Sequence, residues 1–170
     1  FAGTAVRPDE ELNGFTLNGV GSGTLIDYVQ VHEGLDDGIE LFGGTAQMKH
    51  LVITNAQDDS LDWTNGWQGR AQFILIKQAE TIGDRGIEAD NNERNHDGIP
   101  RAQPILSNMT IIGRTGDSAT QGVLLRRGTG ANIWNSVITG SPTCIMIDGE
   151  RTFANAGAPG NLSGGLTIQN

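Results

Sequence analysis

The chain predicts an all-β fold, a right-handed parallel β-helix of about 22–26 residues per coil with one longer insertion, and three observations carry that expectation. A short acidic phrase recurs as Asp36-Asp37-Gly38-Ile39-Glu40, Asp58-Asp59-Ser60-Leu61-Asp62 and Asp84-Arg85-Gly86-Ile87-Glu88, at steps of 22 and 26 residues. A second family of short apolar runs alternates with it in constant order. Glycine, asparagine or aspartate stands at nearly every break, and no segment keeps a helical apolar period for three turns. A unit this short cannot bury its inner face alone, so successive coils must stack.

The second family begins at Leu25 to Val31 and returns at Met48 to Thr54, Ala71 to Lys77, Leu106 to Gly113 and Ile133 to Gly140. Its last two members align closely, which predicts that Asn108 and Asn135 stack at a turn. The acidic family continues in weaker form at Gly122-Val123-Leu124-Leu125 and Cys144-Ile145-Met146-Ile147, whose starts are again 22 residues apart. Between the families, residues 90–104 lengthen one coil with a polar, proline-containing insertion, and loops of this kind carry function more often than strands do. A leucine-rich repeat would need a leucine framework with a fixed asparagine, and a propeller blade about 40 residues per unit, so neither fits.

The expected organisation is a single domain over residues 1–170, with enough apolar material for a core at 36% hydrophobic content. The 25 glycines are expected at corners that need positive φ. Phe1-Ala2-Gly3 reads as the end of a strand, and Gly165-Leu166-Thr167-Ile168-Gln169-Asn170 as a coil cut short. The expectation is a fragment lacking an N-terminal part, including a signal peptide, or a subunit whose open ends pair in a larger assembly or filament.

A formal charge of −9 and a pI near 4.6 exclude nucleic acid and anionic membrane as favoured partners, because no counterion release or basic attraction is on offer. No run of about 18 apolar residues predicts a transmembrane segment. Cys144 is the single cysteine, flanked by apolar residues, and reads as a buried inert thiol with no disulfide or zinc set.

If the acidic phrases share one corner, Asp36, Asp58 and Asp84 form one column and Glu40, Asp62 and Glu88 another. Strands about 4.8 Å apart bring such carboxylates into mutual repulsion, to be relieved by a cation, a raised pKa or an arginine. Arg85 suits the last remedy at one rung. Calcium suits the others, since it accepts six to eight oxygen ligands in irregular geometry, and Asn55, Asn65, Asp90, Asn91, Asn92 and Asp97 offer further oxygens nearby. The plainer alternative is corner chemistry, in which aspartates bond backbone and are otherwise solvated.

A catalytic alternative uses Asp36, Asp37, Asp58, Asp59 and Asp62 as acid and base on a glycan. Against it, of the Asn-Thr-Asp, Asp-Asp, Gly-His-Gly and Arg-Ile-Lys set of polygalacturonase-like hydrolases, only Asp-Asp has a counterpart here. A pectate-lyase base would have to be Arg70 or Arg85. His32, His50 and His96 share no metal-ligand spacing, and His96, inside the insertion, is the candidate for touching a ligand. Trp63 and Trp67 bracket a glycine turn beside the second acidic phrase and could grip a sugar ring by stacking. The alternative is that they cover the core, as Trp134 in its apolar strand is expected to do.

Leu12-Asn13-Gly14-Phe15-Thr16-Leu17-Asn18-Gly19-Val20-Gly21-Ser22-Gly23-Thr24, Val29 to Gly44 and Asp58-Asp59-Ser60-Leu61-Asp62-Trp63 resemble bacterial secreted or lipid-anchored proteins with right-handed β-helix repeats. The resemblance covers residues 1–80 closely and the remainder loosely. It implies an extracellular or outer-surface location in a Gram-negative bacterium and supplies no catalytic residues. The reading that results is a cell-surface scaffold or binding protein whose acidic ladder, Asp36, Asp58, Asp84, Glu40, Asp62 and Glu88, binds calcium. A glycan or other surface ligand would bind at Trp63, Trp67 and His96. A polysaccharide lyase or glycoside hydrolase is the alternative.

Overall fold

A computed structural model of the chain describes residues 6–7, 12–115, 120–157 and 164–170. The opening Phe1-Ala2-Gly3 lies outside the described residues. The fold is the expected right-handed parallel β-helix, built from two parallel sheets.

The first sheet stacks six short strands in chain order: β1 (Phe15–Asn18), β3 (Ile39–Phe42), β5 (Leu61–Thr64), β7 (Ile87–Asp90), β9 (Gln121–Arg126) and β12 (Thr143–Ile147). The second contains β2 (Leu25–His32), β4 (Gln47–Thr54), β6 (Arg70–Lys77) and β8 (Ile105–Ile112). Beyond β8 lie β10 (Ala131–Trp134), β11 (Val137–Thr139) and β13 (Leu166–Gln169). The terminal segment read as a truncated coil thus forms β13, paired with β10. One short helix, α1 (Glu150–Ala156), falls well below three turns.

Each long strand of the second sheet carries one residue of positive φ, at Tyr28, His50, Phe73 and Asn108, and Asn135 takes the same place between β10 and β11. The left-handed residue turns the chain, so one nominal strand supplies two faces of the coil. Asn135 donates its side-chain amide to Asn108 Oδ1, forming the expected asparagine stack. In the other three coils the column is aromatic: Tyr28 stacks on His50 at 4.4 Å and His50 on Phe73 at 5.1 Å.

Strand alternation buries Ile39, Leu61, Ile87 and Val123 in one interior column and Leu41, Trp63, Ala89 and Leu125 in the next. Ala89 lies beside Trp63, a small residue next to a large one, which keeps the column evenly filled. Trp67 is equally buried, and a Cβ on Gly69 would come within 2.3 Å of its Nε1.

The glycines of the repeated phrase correct one expectation. Gly14, Gly38, Gly86 and Gly122 do not have positive φ; they are needed because the neighbouring coil leaves no space for a side chain. A Cβ on Gly38 would meet Ile53 Cγ2 at 2.4 Å and the Ser60 carbonyl at 2.5 Å. Ser60 is the one departure from glycine in this file between Gly14 and Gly122. Cys144 corrects another: it is exposed, because β12 turns Ile145 and Ile147 toward the core and Cys144 and Met146 away from it. No helix among the described residues is long and apolar enough to cross a membrane.

Candidate functional site

The register of the first sheet places Thr16, Glu40, Asp62, Glu88 and Leu124 in one outward-facing column. The 26-residue step therefore leaves the third phrase in line with the other two. On the corner leading into these strands, the Asp58 N–H donates to the Asp36 carbonyl at 3.5 Å and the Asp84 N–H to the Asp58 carbonyl at 3.0 Å. Both expected columns exist.

The position before the glycine forms a third column, Asn13, Asp37, Asp59, Arg85 and Gln121. Asp37 Oδ1 accepts the Asp59 N–H at 3.0 Å and Asp59 Oδ1 accepts the Arg85 N–H at 2.7 Å. Corner chemistry is therefore present, but it links one coil to the next instead of closing a local turn.

At the Arg85 end the negative charge is met by guanidinium groups. Arg85 pairs with Asp84 and with Glu88 Oε1 at 2.9 Å. Arg126 contacts Glu88 and reaches Asp90 Oδ1 at 2.9 Å, while Arg127 reaches Asp90 Oδ2 at 2.6 Å. This separates Glu88 from the rest of the proposed ladder: its carboxylate is already neutralised by two arginines.

Farther along, Asp37, Glu40 and Asp62 make no ion pair with an arginine among the described residues. One oxygen from each of Asp37, Glu40 and Asp62 lies within 4.8 Å of the other two. Asp36 with Asp37 and Asp58, and Asp58 with Asp59 and Asp84, form two further groups of this kind. Asn13 donates its side-chain amide to Glu40, and its own Oδ1 is buried without a hydrogen-bond partner. Asp62 Oδ1 is likewise buried and unpartnered.

These surroundings disfavour charge. Burial, reinforced by Glu40, pushes the Asp37 carboxyl up to about 8, although the Asp59 N–H pulls the other way. Burial raises Asp62 well above the usual carboxylate range, with Asp37 and Glu40 adding to it. Glu40 is raised by burial against the opposing Asn13 hydrogen bond. Asp59 is raised well by burial and then Glu88, and Asp58 by burial and then Asp84.

Along the outward column runs a groove of about 470 Å³, lined among others by Glu40, Asp62, Glu88 and Asp90, with Asn92, Arg94 and Arg127 along one side. The insertion supplies Asn92 and Arg94. Asn91 braces it, donating to the His96 and Gly98 carbonyls at 3.0 and 2.9 Å and accepting the Ala102 N–H at 2.7 Å. Asn92 Oδ1 accepts the N–H groups of Arg94 and Asn95, Asn65 Oδ1 accepts from Asn92, and Asp97 pairs with Arg101 and Arg151. The oxygens of Asn65, Asn91, Asn92 and Asp97 are thus engaged in shaping the loop, and those of Asp90 in its arginine pairs. His96 is exposed and does not line the groove.

Trp63 and Trp67 do not form a sugar platform. Both are 0% exposed, and Trp63 Nε1 donates to Thr129 Oγ1 at 3.0 Å inside the core. Arg70 lies on the second sheet, away from the carboxylates, and Arg85 is engaged in the ladder, so neither stands as a free base over the groove. Three contributors escaped the sequence reading. Asn13 had a signal, because Asn13-Gly14-Phe15-Thr16 repeats the pattern of Asp37-Gly38-Ile39-Glu40. Arg126 and Arg127 had none, since they meet Glu88 and Asp90 across 38 and 37 residues of chain.

No curated protein matches the chain, and no solved structure does. A family model described as a pectate-lyase-like β-helix domain matches residues 1–167. The stacked coils and parallel sheets agree with that match, and the chain belongs to the pectate-lyase-like β-helix domain family.

Proposed function

We propose that the protein is a cation-binding β-helix, with calcium held by Asn13, Asp37, Glu40 and Asp62 at one end of the acidic groove. The observation that carries this reading is the pair of buried, unpartnered oxygens, Asn13 Oδ1 and Asp62 Oδ1, beside three crowded carboxylates. All donors are hard oxygens, which suit calcium over softer metals. Two oxygens bound to one calcium at about 2.3–2.6 Å lie no more than about 5 Å apart, and the carboxylate oxygens here meet that limit. Asp36 and Asp58 would contribute to a second, more exposed position. A weakly held calcium fits an extracellular or outer-surface scaffold that presents the ion to a surface ligand.

A catalytic reading, as lyase or glycoside hydrolase, draws support from the raised Asp37 carboxyl and the open groove with Arg94 and Arg127 beside it. The oxygen spacing weighs against it, being closer than the roughly 5–9 Å between the carboxyls of glycosidase pairs.

Calcium titration by calorimetry on chelator-treated protein, with thermal unfolding in parallel, tests the proposal. The expected result is stoichiometric binding that raises Tm and is abolished in Asp62→Asn and Asp37→Asn. Absence of both heat and thermal shift would overturn it and redirect work to a polysaccharide activity screen.

A further inference from the structure

We propose that a second groove, on the outer face of the other sheet, binds the phosphate of a small phosphomonoester between a glycine-rich turn and two cations. The groove, about 610 Å³, is lined by Ser22, Gly23 and Thr24 at one end and further along by Lys49, Arg70 and Trp134. The turn belongs to the run Gly19-Val20-Gly21-Ser22-Gly23-Thr24, which joins β1 to β2. Within that run the Thr24 N–H donates to the Gly21 carbonyl at 3.2 Å. The Gly21, Ser22 and Gly23 N–H groups and the Ser22 and Thr24 hydroxyls have no partner among the described residues. The turn is exposed, and no atom stands within 4 Å of a Cβ placed on Gly21 or Gly23. An anion can therefore approach its main chain directly.

The cations stand on the next two rungs. Leu25, directly after the turn, pairs with Gln47, and Gln47 with Arg70, while Lys49 lies two residues beyond Gln47. A strand spacing of about 4.8 Å and a rise of about 3.3 Å per residue put the Lys49 and Arg70 main chains about 8 Å apart, close enough for both long side chains to reach one anion. Both residues are exposed, and among the described residues neither has an ion-pair or hydrogen-bond partner. Asp27, the one carboxylate among the described residues lining the groove, is held by His50 Nδ1 at 2.7 Å and by the Tyr28 N–H at 3.0 Å. An anionic ligand supplies the missing counter-charge.

The donors identify the anion. Main-chain N–H groups, two hydroxyls, an ammonium and a guanidinium are more donors than the two coplanar oxygens of a carboxylate can use, and they suit the three strong acceptor oxygens and near-double charge of a phosphomonoester. The overall charge sets the ligand's size. Two free cations neutralise one such dianion, whereas each further phosphate of a polyanion would meet the field of a chain carrying −9. The rest of the ester has an apolar place to lie. Trp134, 42% exposed, stands two strands beyond Gln72, about 10 Å along the axis, and offers an indole face to a planar ring. An aryl or nucleoside monophosphate combines that ring with the phosphate.

The groove lies on a different sheet from the acidic ladder, so the test uses metal-free protein from which chelator has been removed. Adenosine monophosphate and phenyl phosphate are titrated by calorimetry at fixed ionic strength, beside adenosine, digalacturonate and a DNA oligonucleotide without terminal phosphate, and inorganic phosphate is added as competitor. Tryptophan fluorescence adds a local readout, because Trp63 and Trp67 are buried and Trp134 is not. The expected result is saturable binding of a phosphomonoester that changes Trp134 emission, is displaced by inorganic phosphate and weakens at least about tenfold in K49A/R70A, with a smaller loss in S22A/T24A. These exposed positions spare the core, so both variants should unfold at the parent temperature. No binding of either ester, equal or tighter binding of adenosine, digalacturonate or DNA, failure of inorganic phosphate to compete, or binding that survives K49A/R70A would each overturn the proposal.

Discussion

Asp59 holds the main-chain N–H of Arg85 at 2.7 Å, across the step from one coil to the next. Asp59 is itself buried, so this carboxylate is part of the spine of the solenoid. Asp59→Ala leaves a buried donor without an acceptor and is expected to cost about 1–3 kcal/mol, or roughly 2–4 °C of Tm per kcal/mol. Asp59→Asn keeps an acceptor oxygen and sheds the charge, so its Tm should match or exceed the parent. Equal loss in both variants, by thermal unfolding, would sink this account.

The raised carboxyls give the metal-free protein an inverted pH profile. Asp37, Glu40 and Asp62 all have folded pKa values above their ordinary ones, so the folded state binds more protons than the unfolded state in the window between. Their contribution is fully present below the ordinary carboxylate range, about pH 4, and is lost as pH rises through about 8, the Asp37 value. In chelator, Tm should fall across that window, and calcium should flatten the slope by replacing protons as the neutralising charge. A metal-free Tm that rises from pH 5 to pH 8, both values set within that window, would contradict the electrostatics described here.

Arg126 bridges Glu88 and Asp90, two carboxylates whose side chains are about nine-tenths buried. Arg126→Met keeps the bulk and removes the charge, and breaking a buried pair of this kind costs on the order of 3 kcal/mol. Adding Asp90→Asn and Glu88→Gln should recover part of the loss, since each carboxylate is left with one guanidinium in place of two, Arg85 on Glu88 and Arg127 on Asp90. Chemical denaturation of the single and triple variants checks this, and a triple variant no more stable than Arg126→Met would rule out charge as the cause.

The path from sequence to site was legible wherever one strand fixed the parity of its neighbours. Glu40, Asp62 and Glu88 could be aligned because each follows the same glycine-file position by two residues. The same parity points Trp63 inward: with Asp62 facing the groove, the next residue faces the core. Proximity to the acids made the indole look like a ligand platform, and alternation along β5 decides otherwise. Trp67, in the turn beyond, had no alternation to reveal its burial. The arginine cover over Glu88 and Asp90 was not readable, because the pairing depends on how the insertion between β7 and β8 returns the chain to register. The glycine file misled for a related reason: its crowding comes from the next coil, which no local turn rule describes.

That crowding also determines how such a molecule can change in length. From one aligned strand to the next the chain advances by 22, 26 and then 36 residues, while Asp37, Asp59, Arg85 and Gln121 stay in file. Every added residue lies outside the glycine file, and the largest surplus is gathered into the braced loop beside the acidic groove. The geometry leaves room to lengthen that loop or to add a whole coil, but a single residue inserted next to Gly38 or Gly86 would press a side chain into its neighbour's backbone. Added length therefore belongs at the rim of the groove, on a spine that admits only complete turns.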